Sequence, residues 1–388
     1  MAEMWALTYD RSREDWMSSR GMVKERVPVP TLDEANPEDR RSVILKVRYA
    51  GFCGTDRGIW WRKAFDDIIH GSLDDEGRDK RIFGHELLGE IVAVGSEVTP
   101  VFGYNVGDVV TTESHVVCNN CPQCDLGQHH VCQNDTIIGL SRDGCFAEFA
   151  KLPAKALWPT DLDKIRPEVA AVQEPFGNAM HACQTVDLRE KTVAILGTGT
   201  IGLFALLIAK GMGAKTVIGV EVDPKKVDLA YKLGADHVFT PGRPPADAPW
   251  RSDPELAAKV LELTGGTGVD VAMEMAGVHS STNNAIRITR RGGDVVLFGV
   301  RNGHAVFEDA HRIVMNGLSL HGVVGRRIFG TWQRTKTLLE DHTNGIHDAI
   351  WNTILMQGKG TIVPLAELDP TSFEAAMAEH PKLLLQMS

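Results

Sequence analysis

The feature that most limits what this chain can fold into is a glycine turn, Gly197-Thr-Gly-Thr-Ile-Gly202, set between two apolar runs. Residues 192–196 before it read as a short strand. Residues 201–210 after it read as an apolar helix closed by Gly211 and Gly213. In this pattern Gly197 permits the sharp turn, Gly199 the close approach of a pyrophosphate, and Gly202 the helix–strand contact. The helix N-terminus then favours phosphate. Residues 216–220 read as the next strand, and Glu221 ends it nineteen residues after Gly202. A carboxylate there accepts from the ribose hydroxyls and repels a 2′-phosphate, so the expected cofactor is NAD rather than NADP.

Strand and helix keep alternating beyond this point. Residues 224–232 read as a helix with Pro224 just inside it. Residues 269–275 and 294–300 read as strands, with 283–288 helical between them. Alternation of this kind implies an α/β fold, a doubly wound parallel sheet with helices on both faces. Upstream the character differs. Short strands at 43–50, 91–98 and 106–112, punctuated by Gly95, Gly103 and Gly107, imply a β-rich domain. The expected division is 1–178, 179–326 and 327–388, the last segment ending in an apolar run at 383–386 that returns to the first domain. A chain of 388 residues is long enough for two cores.

Seven cysteines are present, and Cys118, Cys121, Cys124 and Cys132 crowd together as C-x2-C-x2-C-x7-C. Four thiolates suit tetrahedral zinc and leave no position for water, so such a site is structural; iron–sulfur ligation competes. The zinc lobe is expected over about 115–135. The remaining composition excludes several classes. A net charge of −10 with no basic run argues against nucleic acid. No apolar window is long enough to span a membrane. The acidic first residues lack the apolar core of a secretory leader, and with the clustered cysteines this implies a reducing, cytoplasmic setting.

Other candidate ligands are scattered. Cys53 follows a strand in Gly51-Phe-Cys-Gly-Thr-Asp56. His85 and Glu86 lie in Phe83-Gly-His-Glu-Leu87, and Glu174 in Val172-Gln-Glu-Pro-Phe-Gly177. Taken singly, a cysteine after a strand is more often core and a His-Glu pair is usually solvated. Their order, with the cysteine lobe between the second and third segments, resembles the zinc-containing medium-chain dehydrogenase/reductase family. Within it the likeness is greatest to the L-threonine 3-dehydrogenases, carried by Glu113 to Asn134, by Gln173 to Ala179, and by His321 to Arg326 with Gly330-Thr-Trp332.

The resemblance implies a GroES-like catalytic domain beside a Rossmann domain, and two zinc ions per chain. Cys53, His85, Glu86 and Glu174 would hold the catalytic ion. One thiolate and two carboxylates against Zn²⁺ sum to −1, which weakens a Lewis acid, so one carboxylate is expected to leave when substrate binds. Thr55 would pass the alcohol proton outward, and Asp56 would orient His85. Related enzymes often carry a histidine three residues after that threonine, where this chain has Gly58. His115 would lie near the substrate, and Lys226 and Arg326 near the cofactor.

The expected reaction is oxidation of a secondary alcohol on a small polar substrate, in a homotetramer or homodimer. Threonine is one substrate reading. A sugar, polyol or cyclitol is the other, because Cys-Gly-Thr-Asp-Arg57 is similar to sugar and polyol dehydrogenases and a ring could stack on Trp60 or Trp61. A redox-inactive NAD-binding structural or sensor protein is the reading from another class; the intact ligand set argues against it.

Overall fold

The computed structural model describes residues 2–300 and 303–387. It divides into two units, Met1–Pro175 with Ile350–Ser388, and Phe176–Ala349. Residues 327–349, grouped with the C-terminal segment on sequence, fall in the second unit. The helix Gly330–Glu340 buries Trp332 and Leu339 there. Ile346 packs so closely on Gly211 that a Cβ at Gly211 would lie 2.9 Å from its Cδ1.

The first unit is built around one long strand, Ser42–Phe52 (SVILKVRYAGF). Its β-branched and apolar residues bury both faces, as a central strand requires. It pairs antiparallel with Glu86–Val94, Phe149–Pro153 and Leu383–Gln386. Register matters more than strand count here. Gly51 lies opposite Glu86 on one side and Leu384 on the other. The strand therefore delivers Cys53 to a point flanked by His85–Glu86 and by residue 382. The strand expected at 91–98 begins earlier, at Glu86, and Val98 instead opens the helix Val98–Phe102.

A helix at Asp66–Glu76 occupies the segment between Cys53 and His85. It buries Ile69 and Leu73 in the main core of this unit and ends at Gly77 in the left-handed conformation. Arg81 follows, fully buried, and is held by Ser72, Glu76 and Asp143. A smaller sheet of Val23–Pro28, Glu3–Asp10 and Lys80–Ile82 packs in the same unit.

The second unit is a six-stranded parallel sheet. Its spatial order is His237–Phe239, Thr216–Val220, Thr192–Leu196, Val269–Glu274, Thr289–Leu297, Ser319–Gly322. Numbered by sequence this is 3-2-1-4-5-6, the Rossmann order, which reverses beside the strand that feeds the glycine turn. Strands such as TVAIL and TVIGV, buried after their leading threonine, suit a sheet covered on both faces.

Candidate active site and metal centres

Cys53 ends the central strand and caps the helix Gly54–Trp60. Its sulfur accepts from the Asp56 backbone while Asp56 Oδ2 accepts from the Cys53 N–H at 3.0 Å, a reciprocal capping box. The local sequence thus fixes where the sulfur points. His85 Nε2 stands 3.1 Å from that sulfur. On the far side of the ring, His85 Nδ1 faces Asp56 Oδ1 at 3.8 Å. Both atoms are buried, and neither has a hydrogen-bond partner among the described residues. Buried polar atoms are seldom left this way. The pair suits an imidazole that binds a metal through Nε2 and turns Nδ1–H to a carboxylate behind it.

Cys53, His85 and Glu86 bring one ligand atom each within 4.8 Å of one another. Burial first, then the Asp56 and Glu86 carboxylates, push the Cys53 thiol well above its ordinary range, with Lys382 acting against them. A cation bound there would supply the charge that makes the thiolate stable, and binding would release the proton.

Sequence reasoning missed one member of this group. Lys382 is fully buried, and its ammonium pairs with Glu86 and donates to Phe52 O at 3.3 Å. Gly51 makes the pairing possible, since a Cβ there would lie 1.9 Å from Glu86 Oε2 and 2.9 Å from Lys382 Nζ. Nothing local marks a lysine in a C-terminal apolar run as a partner for residue 86. Only the register of the last strand brings it there. Arg57 ties down the same stretch by donating to His380 O at 2.9 Å.

Glu174 is not in this tight group among the described residues. It is buried and accepts from Ser114 Oγ at 2.8 Å, and its charge is felt at Glu86. Thr55 sits in the first turn of the helix that Cys53 caps. His115 is half-buried on a two-residue strand, with Nδ1 2.5 Å from Asp135 Oδ2.

The four lobe cysteines come together as one group. Sulfur–sulfur spacings of 3.4, 3.9 and 4.0 Å are recorded among them. Four sulfurs on one zinc at ordinary Zn–S lengths lie about 3.8 Å apart, whereas a disulfide needs about 2 Å. Backbone N–H groups of Cys118 and Asn120 point at sulfur, and hydrogen bonds from Gln133 and Cys124 draw the Cys121 thiol down to about 6. Cys118 is lowered as well, whereas burial pushes Cys124 up to about 12 and raises Cys132, so a bound cation would be needed to hold all four as thiolates. Cys124→Ser should cost one zinc per chain and lower stability by about 4 kcal/mol or more. Metal analysis and thermal unfolding together check this.

In the second unit the glycine turn has the expected shape. Gly197 adopts φ +95°, and a Cβ at Gly202 would lie 1.9 Å from Gly197 O. Glu221 is tied into this turn. One carboxylate oxygen accepts from Thr198 N and Oγ1 at 2.9 and 3.1 Å, and the other from Val222 N and Asp223 N at 2.8 and 3.1 Å. Beside it opens a cavity of about 500 Å³ lined by Gly197, Glu221, Val222, Arg243, Ala276 and Asn284.

Residues 39–162 match the alcohol dehydrogenase GroES-like domain and residues 200–341 the zinc-binding dehydrogenase domain. The L-threonine 3-dehydrogenase of Symbiobacterium thermophilum is 36% identical over 318 residues, covering 82% of this chain and 83% of that protein. The L-threonine 3-dehydrogenase of Pyrococcus horikoshii is 34% identical over 320 residues, covering 82% and 83%. The chain belongs to the zinc-dependent medium-chain dehydrogenase family.

Solved structures agree on the fold. A zinc-binding dehydrogenase from Sinorhizobium meliloti 1021, bound to NADP, superposes with a TM-score of 0.76 at 26% identity over the whole of both chains. The 2R,3R-butanediol dehydrogenase of Bacillus subtilis gives 0.78 at 23% identity over 99% of each. As a member of this family the chain is an oxidoreductase that carries out zinc-dependent, NAD(P)-linked alcohol oxidation. The redox-inactive reading does not survive.

Several sequence expectations can be placed on this dehydrogenase. Trp60 is wholly buried, and its Nε1 donates to Glu374 Oε1 at 3.0 Å, so it offers no face to a sugar ring. Trp61 is partly exposed and lies under the Arg20 guanidinium. The tryptophans therefore lend the sugar and polyol reading little support. Arg326 is not a surface residue. It is buried, donates to Asn178 Oδ1 at 2.9 Å, and packs against Gly177. Lys226 is half-exposed and 3.7 Å from Asp223 Oδ2. Cys145 and Cys183 are fully buried thiols whose pKa burial raises.

Glu221→Ala should lower the NAD-over-NADP ratio of kcat/KM by at least about tenfold, because removing the carboxylate removes the repulsion of a 2′-phosphate. An unchanged ratio would contradict that assignment.

Proposed function

We propose that this dehydrogenase oxidises the β-hydroxyl of L-threonine, or of a closely related hydroxy amino acid, to the ketone with NAD as the acceptor. The observation that carries the reading is the Cys53–His85 pair, with the buried Asp56 waiting behind the imidazole. The names of the curated relatives point to threonine.

Cys53 and His85 would hold the catalytic zinc, with Glu86 and Glu174 as the two carboxylates of the set, one of which would yield to substrate. Bound zinc supplies a Lewis acid that lowers the pKa of an alcohol, and bound NAD accepts hydride. The chain's own residues do the rest. Asp56 fixes the tautomer and orientation of His85. Thr55 Oγ1 takes the hydroxyl proton and hands it outward, with Gly58 leaving that path to a neighbour other than the usual histidine. Glu86 is paired with Lys382, which would offset part of the negative charge that a thiolate and two carboxylates would present to a bound ion. That pairing favours Glu86 as the carboxylate that stands away while Glu174 stays.

Cys118, Cys121, Cys124 and Cys132 would hold the second, structural zinc. Glu221 supports NAD over NADP, with Gly197, Gly199 and Gly202 receiving the pyrophosphate, and Lys226 and Arg326 lying toward the cofactor. His115, already oriented by Asp135, would meet the polar end of the substrate. The edge strand Ser319–Gly322, with Val314 and Met315 largely exposed nearby, supports a homo-oligomer. No helix among the described residues is long and apolar enough to cross a membrane. Seven cysteines without a disulfide among them, five of them zinc ligands in this reading, fit a reducing cytoplasm.

The test is NAD reduction across threonine, related hydroxy amino acids, aldoses, polyols and inositols. Threonine or a close analogue should give a kcat/KM at least about tenfold above the best sugar or polyol. A polyol or inositol as the leading substrate would replace this reading with the other.

A further inference from the structure

A third group of metal-type ligands lies apart from both zinc centres, within the second unit. His342, His347 and Asp348 bring one ligand atom each within 4.8 Å of one another. His342 stands on the short 3-10 turn His342–Asn344, and His347 and Asp348 on the helix Ile346–Ala349 that follows it. Gly345 joins them in the left-handed conformation, φ 72°.

The loop that carries these residues is held by its own hydrogen bonds. Asp341 accepts from Thr343 N and Oγ1 at 2.9 and 2.6 Å. Asn344 donates to Leu338 O and accepts from Ile346 N, both at 2.8 Å. The two imidazoles are thereby held 4.5 Å apart between ring centroids, tilted by 52°. His347 is buried, and its Nδ1 lies 3.3 Å from Asp348 Oδ1. A shared cation would use the nitrogen lone pairs and the carboxylate together.

We propose that His342, His347 and Asp348 form a third metal site, which takes a borderline divalent transition ion such as Zn²⁺. Two imidazoles and one carboxylate suit zinc, nickel or cobalt and not magnesium or calcium, which prefer oxygen. Donor atoms on a zinc of this kind lie about 3.4 Å apart. His342 and Asp348 are exposed, so small rotations of their side chains close the present spacing around buried His347. Three protein ligands leave a position for water, so this ion exchanges more readily than one enclosed by four cysteines. When bound, it clamps the 3-10 turn to the helix just before the chain leaves this unit at Ile350.

The experiment is equilibrium dialysis of the holoenzyme against increasing free Zn²⁺, with zinc counted per chain. The wild-type protein should hold two tightly bound ions and acquire a third. His342→Gln with His347→Gln should keep two and never acquire the third, at unchanged kcat. His342→Gln alone alters an exposed side chain, so it tests the site even if the double variant folds poorly. It should lose the third ion as well. A third ion retained by His342→Gln, or no third ion in the wild type at any free zinc below precipitation, would overturn the proposal.

Discussion

Replacing Cys53 with alanine is expected to lower kcat/KM for alcohol oxidation by at least about a thousandfold, the several kcal/mol that a catalytic Lewis acid supplies. The same variant should carry about one zinc per chain instead of about two, because the four-cysteine lobe is untouched. The reasoning rests on position. Cys53 is the sulfur grouped with His85 and Glu86 among the described residues, and its thiol is unfavourable as an anion without a cation beside it. Alanine also forfeits the reciprocal cap with Asp56, at a cost of about 1 kcal/mol. That loss is small, so the variant should still fold, and the collapse in rate should be separable from a fall in stability. Zinc analysis beside thermal unfolding makes the separation. Retention of two zinc ions with full activity would remove Cys53 from the site.

The second large effect is expected at Lys382. Lys382→Met should destabilise the protein by about 3–5 kcal/mol, because it strands the Glu86 carboxylate in a buried place with its charge uncompensated. Burial raises the Glu86 carboxyl pKa and Lys382 opposes that rise. Losing the lysine leaves Glu86 two ways out, to take a proton or to move onto the metal. In the cobalt-substituted enzyme the second route would alter the visible spectrum of the catalytic ion, a readout that a purely structural role would not move. Adding Glu86→Leu should recover much of the lost stability, since removing both partners of a buried pair is far cheaper than removing one. If Lys382→Met were as stable as the wild type and left the cobalt spectrum unchanged, the pairing would not control Glu86.

These two residues mark how legibility in the sequence varied. The first half of the Rossmann sheet was readable closely, while the strand expected at 294–300 runs Thr289–Leu297 and the strands His237–Phe239 and Ser319–Gly322 were not expected. Thr192–Leu196, Thr216–Val220 and Pro224–Lys232 run as the apolar runs and proline imply, because parallel strands buried on both faces leave an unbroken signal. The lobe was readable from spacing, since four thiols on so short a stretch have few other uses. Cys53, His85 and Glu86 were different. Each sits in a short, ordinary-looking segment and acquires meaning through the pairing of two distant strands, so family likeness was needed to connect them. Lys382 was invisible on both counts. Its role depends on the register that sets Leu384 against Gly51. The helix Asp66–Glu76 was also missed. Its acidic surface hides a two-residue anchor, Ile69 and Leu73, four apart on one face.

The most direct test of the central claim is NADH formation from the best alcohol on the substrate panel, measured on one preparation in three states. These are as isolated with about two zinc per chain, after removal of the more labile catalytic zinc to about one, and after zinc is restored. The account predicts robust hydride transfer in the first state, loss of at least about a thousandfold in the second, and recovery in the third. Undiminished NADH formation by the zinc-depleted protein would contradict it.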